Sequence, residues 1–264
     1  MKRILSLLLA AGLTLFFSGS SFAEVLSAEQ IVKKANEAYY YQGDNGRSRV
    51  NMKIEDRQGN VREKEFVILR LNIVKGGPQK YYVYYEKPND VRGTVFMVWK
   101  YLDKDDDRWL YLPGLNLVNR IAASDKRSSF AGSNFVYEDI SGRNLNYDKH
   151  ELIDDKGDVY VIKGIPKVPS EVEFAYYISN INKENFIPVK VEYYDNQDKV
   201  IRILETKQII DVQGYPTVKE AVASDLRSGG KTIIDFNDVE YDIGLDEDVF
   251  TERYLQRPPM KWLK

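Results

Sequence analysis

His150 is the only histidine in a chain of 264 residues that has no cysteine, and this alone removes most catalytic chemistries. Without cysteine there are no disulfides, thiolate zinc sites, iron–sulfur clusters or thiol nucleophiles. One imidazole leaves little for zinc hydrolysis or a histidine relay. A serine hydrolase would have to use His150 as its base, yet this residue sits in the charged stretch Tyr147-Asp148-Lys149-His150-Glu151 and no Gly-x-Ser-x-Gly elbow occurs. It reads as a solvated surface histidine. The acidic run Asp103, Asp105, Asp106 and Asp107 suggests calcium, but Arg108 stands where a calcium loop needs glycine and Gly114 where it needs the closing glutamate. An exposed hairpin turn accounts for it better. The 40 acidic residues offer many carboxylate pairs for glycoside hydrolysis, and the sequence singles out none. No glycine-rich phosphate cradle is present. With 38 basic residues and a formal charge of −2, nothing marks a nucleic-acid binder. The expectation is a protein that is not an enzyme and takes no metal or cofactor.

What the composition does supply is aromatic surface: 12% Phe, Trp and Tyr, with 19 tyrosines. In Lys80-Tyr81-Tyr82-Val83-Tyr84-Tyr85, strand alternation puts Tyr81, Val83 and Tyr85 on one face and Tyr82 and Tyr84 on the other. Trp99, Tyr101, Trp109 and Tyr111 add bulk on nearby segments. Rings with a polar handle suit a half-buried strand, and they also suit a large apolar cavity that tolerates water when empty.

The elements that must position these side chains follow from periodicity. Lys2 and Arg3, an apolar run to Phe17 and small residues up to Ala23 have the form of an export signal, cleaved after Ala23. The apolar run is short of the roughly 20 residues of a membrane span. A periplasmic location is expected, with residues 24–264 as one domain. Ser27 and Gln30 fit a capping box, and Ala28, Ile31, Val32, Ala35, Ala38 and Tyr39 recur at helical spacing up to about Tyr41. From Arg47 onward, segments rich in Val, Ile, Tyr and Phe alternate with turn clusters. Strands are expected at 66–73, 80–87, 95–102, 108–112, 159–163, 172–179, 189–194, 200–212, 217–223 and 231–241, with an earlier one around Val50, Met52 and Ile54. Residues 120–143 read instead as a long loop with a helical turn near 135–140, and loops of that length are usually functional. The fold class is mainly β: a strongly curved antiparallel sheet forming an incomplete, half-open barrel, with an N-terminal helix over its concave side and short helical lid elements.

Three stretches then resemble a known family. They are Gly93-Thr94-Val95-Phe96-Met97-Val98-Trp99-Lys100-Tyr101, then Asp107-Arg108-Trp109-Leu110-Tyr111-Leu112-Pro113. The third is Arg120-Ile121 followed by Arg127-Ser128-Ser129-Phe130-Ala131-Gly132-Ser133-Asn134-Phe135-Val136-Tyr137-Glu138-Asp139. In this order they resemble the outer-membrane lipoprotein-sorting proteins, relatives of the periplasmic carrier LolA. The resemblance implies a half-closed barrel that holds acyl chains in an apolar cavity. Its expected partners are lipid or lipoprotein acyl chains, an inner-membrane exporter of the resistance-nodulation-division type and an outer-membrane acceptor. A monomer is expected, with no nucleic acid. Cavity and gate candidates are Tyr82, Tyr84, Phe96, Trp99, Tyr101, Trp109, Tyr111, Phe130, Phe135 and Tyr137. Arg120 and Arg127 are expected either to pair with Glu138 and Asp139 and hold the gate shut, or to meet an anionic headgroup. The rival reading is an adaptor of an envelope export complex, using a sheet edge or the acidic 103–107 turn.

Overall fold

The computed structural model describes residues 26–155 and 157–264. The expected export signal, residues 1–23, lies outside the described residues. Among the described residues the backbone is dominated by a single antiparallel sheet of 13 strands that does not close on itself.

The sheet consists of two meanders. The first runs through β1 (Asn45–Glu55), β2 (Val61–Asn72), β3 (Gln79–Lys87), β4 (Val95–Lys100), β5 (Asp107–Leu112) and β6 (Leu117–Ile121). The second runs through β7 (Asp148–Asp154), β8 (Val159–Pro166), β9 (Tyr176–Asn182), β10 (Pro188–Tyr194), β11 (Val200–Val212), β12 (Tyr215–Asp225) and β13 (Gly230–Tyr241). Every neighbour in the sheet is also a neighbour in sequence, except where β1 pairs with β13 and joins the meanders. The strands β6 and β7 are therefore the two edges. Neither was expected as a strand. β6 is five residues long and mostly exposed, and β7 carries the charged stretch around His150, so neither shows the apolar alternation that marks a strand. The expected strand at 172–179 starts later, at Tyr176, because Pro169 opens a short 3-10 turn at Pro169–Glu171.

The helix α1 (Ala28–Tyr40) forms where its capping box predicts. The Gln30 amide donates to Ser27 Oγ at 3.2 Å, and the Ser27 amide donates to Gln30 Oε1 at 2.8 Å. Ile31 and Ala35 are buried against Ile162 and Ile181 of β8 and β9. The C-terminal end is held by Arg70 of β2, whose guanidinium donates to the carbonyls of Tyr40 and Gln42. A cation there satisfies carbonyls that the helix leaves unpaired. Gly43 then takes a left-handed conformation with φ of 59° and turns the chain into β1.

Alternation divides the first meander's side chains between two cores. Val50, Met52, Phe66, Tyr81, Val83, Tyr85, Phe96 and Val98 face the concave side. Val67, Leu69, Tyr82, Val95, Met97, Trp109 and Tyr111 face the convex side, where the segment from Leu245 to Leu263 covers them. That segment includes the short turn at Glu247–Phe250 expected around Phe250, and helix α3 (Arg253–Gln256). Asp246 precedes the turn but its side chain makes no capping bond.

Candidate functional site: an apolar hollow under a charged lid

The concave side holds an apolar hollow of about 150 Å³, lined by Ile68, Phe135, Ile140, Val218, Ala221 and Ile234 among others. The hollow reaches the seam of the two meanders. There β1 bulges between Arg47 and Arg49, and Gly46, Arg47 and Ser48 join Phe236, Val239 and Tyr241 of β13 in the wall. A bulge re-aims side chains and opens the strand locally. The roof is the last turn of α1, with the Tyr39 and Tyr40 rings 4.7 Å apart, and the segment 130–141. A second lobe of about 130 Å³ shares Tyr39, Tyr40, Phe135, Asp139 and Ala221 with the first and extends over β10 and β11. Phe135 and the two tyrosines stand between the lobes.

Polar atoms in the lining of the hollow are satisfied by one another. The Tyr81 hydroxyl donates to Gln79 Oε1 at 3.0 Å, and Tyr241 and Thr217 share a hydrogen bond at 3.0 Å. Burial pushes the Tyr39, Tyr40 and Tyr81 phenols above their ordinary range, so all three stay neutral. Burial also lowers the Arg70 guanidinium's proton affinity, against which nearby Tyr81 and Tyr241 push back.

The lid is a short built structure in the stretch expected to be a loop. A 3-10 turn at Ala123–Arg127 is followed by a lone bridge between Ser129 and Val136, then by α2 (Tyr137–Ser141). Phe130 is fully buried and anchors it, edge-on to Phe66 at 5.9 Å and to Phe96 at 5.6 Å. Tyr137 lies 4.9 Å from Phe96. Such aromatic contacts each contribute about 0.5–1.5 kcal/mol beyond area burial.

Charge holds the other side of the lid. Glu138 accepts from Arg127 at 3.2 Å and from Arg143 at 3.1 Å. Arg127 forks onto Glu173 at 2.6 and 3.1 Å, and Arg143 forks onto Asp148 at 2.7 and 2.8 Å. This gives an alternating chain Glu173–Arg127–Glu138–Arg143–Asp148, with Glu138 and Asp148 almost wholly buried. Burial works against the charged form of Glu173, but the hydrogen bonds and charge of Arg127 outweigh it and hold the carboxyl below its usual range. Asp139 pairs instead with Arg202 of β11, which also donates to the Asn134 carbonyl at 3.0 Å. The Val136 amide donates to Asp139 Oδ2 at 2.7 Å and caps α2. Tyr40 of α1 donates to the Asp139 carbonyl at 3.1 Å, so roof helix and lid are bonded directly.

Among the residues expected at the site, Phe96, Phe130, Phe135 and Tyr137 are brought together on the concave side. Tyr82, Tyr84, Trp99, Trp109 and Tyr111 are not: they belong to the convex core, with the Tyr82 hydroxyl donating to the Tyr254 carbonyl and Trp99 Nε1 to the Phe250 carbonyl, both at 2.7 Å. Tyr101 stands at the hairpin end, bonded to Asp107 at 3.2 Å with Lys104 over its ring. Of the gate charges, Arg127 meets Glu138 as expected. Arg120 does not reach the lid: it bonds Asp107 at 2.5 Å across the β5–β6 hairpin. Among the residues that complete the network, Glu173 and Arg202 carry no sequence signal because their partners lie 46 and 63 positions away, whereas Arg143 and Asp148 lie five positions apart and read as ordinary charged loop residues.

His150 corrects the expectation of a solvated histidine. Its side chain is 3% exposed, with Nδ1 3.0 Å from Glu29 of α1 and Nε2 3.2 Å from the Tyr177 hydroxyl. The Tyr177 ring packs over Gly164 of the neighbouring strand, where a Cβ would come within 2.0 Å of it. Its hydroxyl also donates to Asp148 at 3.2 Å, so the buried histidine ties the start of α1 to the lid's ion chain. Alternation along β7 hides this residue: Asp148 and His150 point inward while the intervening Lys149 stays exposed. Among the described residues no group of three or more His, Cys, Asp or Glu is placed to hold a metal ion, and no helix is long and apolar enough to cross a membrane.

Comparison with known proteins agrees with this architecture. A family model described as uncharacterized-protein-like matches residues 77–257, more than half of the chain. No curated protein matches. A DUF1329 family protein from Desulfovibrio piger is similar at 28% identity and a TM-score of 0.77, covering 86% of this chain and 96% of that one. A domain described as outer membrane lipoprotein-sorting, from Vibrio parahaemolyticus, is similar at 25% identity and a TM-score of 0.78, over 88% of this chain and 98% of that one. A LolA superfamily protein from Nitrosomonas europaea shares the fold at 19% identity and a TM-score of 0.68, over 87% and 100% of the two chains. The half-open sheet, the helix across its concave face and the lid beneath it are shared with these solved structures, which include a lipoprotein-sorting domain and a LolA superfamily protein, and the chain belongs to the family of the model that matches residues 77–257.

Proposed function

We propose that the protein is a non-catalytic periplasmic carrier that binds lipid or lipoprotein acyl chains in the concave hollow and conveys them toward the outer membrane. The observation that carries this reading is the apolar hollow itself, roofed by the last turn of α1 and by the lid. The signal-like first segment supports export, and the lipoprotein-sorting neighbours support a carrier role.

The energetics define how such a carrier works. A cavity of about 150 Å³ matches the engineered apolar cavity known to take a benzene-sized guest. At about 0.8 kcal/mol per buried methylene, the closed hollow captures only a short stretch of chain. A full acyl chain needs the two lobes merged, which means displacing Phe135 and the Tyr39–Tyr40 pair that separate them. Loading therefore selects an opened lid, and release follows when the lid's aromatic and ionic contacts reform.

Replacing Phe135 with aspartate places a carboxylate in the wall shared by both lobes. Uptake of a fluorescent long-chain fatty acid is expected to fall at least about tenfold, the equivalent of 1.4 kcal/mol. Undiminished uptake by a variant with a native circular-dichroism spectrum would count against the hollow as the binding site. Mass spectrometry of lipids carried by the native protein identifies the cargo.

A second reading, an adaptor in an envelope export complex, is favoured by the edge strand β6. Its hairpin leaves Leu115 72% exposed and Leu117 42% exposed. That reading expects lipid-free protein that captures a membrane partner, and loses it when Leu115 and Leu117 are changed to serine.

A further inference from the structure

Behind the lid, on the side away from the hollow, lies a polar cleft of about 570 Å³. This is within the range of about 300–1,000 Å³ typical of small-molecule sites. Its walls come from the 3-10 turn before the lid, the segment 170–173, the start of β11 and the turn 225–228. Arg127 lines both the cleft and the second lobe of the hollow. The partition between them is one extended segment: Asn134 and Val136 face the cleft while Phe135 faces the hollow. The partition is pinned by Thr232, whose hydroxyl accepts from the Asn134 amide at 3.0 Å, and by Arg202 on the Asn134 carbonyl.

The cleft's chemistry is specific. Its guanidiniums are already matched: Arg127 to Glu173, Arg202 to Asp139 and Arg227 to Asp225, while Glu171 is bound by Lys126. The lining holds three arginines and three carboxylates, so it offers a phosphate no net positive charge. Around these fixed pairs stand serine hydroxyls, with Ser124, Ser128, Ser170 and Ser228 exposed in the cleft. Locked carboxylates accept from ligand hydroxyls, locked guanidiniums donate to them, and serines do both. That combination recognises a neutral group bearing several hydroxyls.

We infer that this cleft seats a neutral polyhydroxylated headgroup, of sugar or glycerol type, whose acyl chain passes the Phe135 partition into the hollow. The inference rests on the carrier reading above and names its cargo as a glycolipid-like amphiphile. A gain of about tenfold in affinity over the bare chain, about 1.4 kcal/mol, is the effect expected of the added hydrogen bonds.

The test compares octanol, octyl maltoside and octyl phosphate, all below their micelle concentrations, as competitors for a bound fluorescent fatty acid. The native protein is expected to bind octyl maltoside about tenfold more tightly than octanol, with octyl phosphate no better than octanol. Ser228→Trp and, from the opposite wall, Ser170→Trp fill the cleft without touching the hollow. Each is expected to abolish the sugar's advantage and leave octanol binding unchanged. Octanol that binds with no gain from maltose, a gain that survives both tryptophans, or a preference for phosphate overturns the headgroup site alone. If none of the three displaces the probe, the carrier reading itself fails.

Discussion

Lys100 carries its ammonium to the inner face of β4, 2% exposed, where it donates to the Ser141 carbonyl at the end of α2 at 2.6 Å. Burial lowers its pKa to about 8, with Asp106 and Glu138 opposing the shift and Arg108 adding to it, while the Tyr40 and Tyr41 rings lie alongside. The folded protein thus releases this proton at a lower pH than the unfolded chain, which holds it up to the ordinary lysine range near 10.5. Between those limits the unfolded state binds more protons, so this group's contribution to stability rises with pH. The melting temperature of the native protein, measured against Lys100→Met, should climb from pH 7 to pH 10. Arg202 shows the opposite dependence on a partner. Its side chain is 2% exposed and Asp139 7%. Arg202→Met strands that carboxylate, and chemical denaturation should show a loss of about 3–5 kcal/mol, much of it recovered when Asp139 is also made leucine. At this scale the sequence was a partial guide. The lid arginine at 127 and its partner at 138 were legible because they lie eleven positions apart in one motif. The pairs Arg202–Asp139 and His150–Glu29 were not, because only the folded sheet brings 63 and 121 positions of separation to contact.

The lid, whose opening is proposed above, is built from few residues. The helix α2 is five residues long, too short to stand alone, and depends on Phe130, Tyr137 and the ion chain for its place. Because the chain has no cysteine, a single engineered pair can fix it. Asn134 and Thr232 already touch through side chain and backbone. With both changed to cysteine, oxidation should block uptake of a long fatty acid while a benzene-sized probe still enters, and reduction should restore the long chain. A native-like long-chain affinity in the oxidised protein would mean that loading does not pass this partition. The helix α1 and most strands were legible from capping and alternation, since those signals are local. Which strand face looks inward was not. Both faces of β3 and β4 are apolar, because each is buried against something: one by the lid, the other by the segment from Leu245 to Leu263. The tyrosines and tryptophans of the convex side were read as cavity candidates for this reason.

At the scale of the whole molecule, the two faces of the sheet are expected to separate experimentally. Phe250 is fully buried on the convex side. Phe250→Ala should cost about 3–5 kcal/mol of stability, yet leave fatty-acid affinity nearly unchanged at temperatures where the variant is folded. A parallel loss of affinity would show that the outer cover shapes the hollow through the sheet. The strand order has its own consequence. All pairings but one join strands that follow each other along the chain, and the exception unites the first strand with the last. The wall of the hollow is built across that junction. As the chain folds, hairpins form one after another, but the hollow stays unassembled until the closing strand finds a mate that appeared at the outset. For the proposed carrier this means that no passenger can be taken up before that pairing forms, and slippage at that one late, distant joint would yield a well-paired sheet with nowhere to put a cargo.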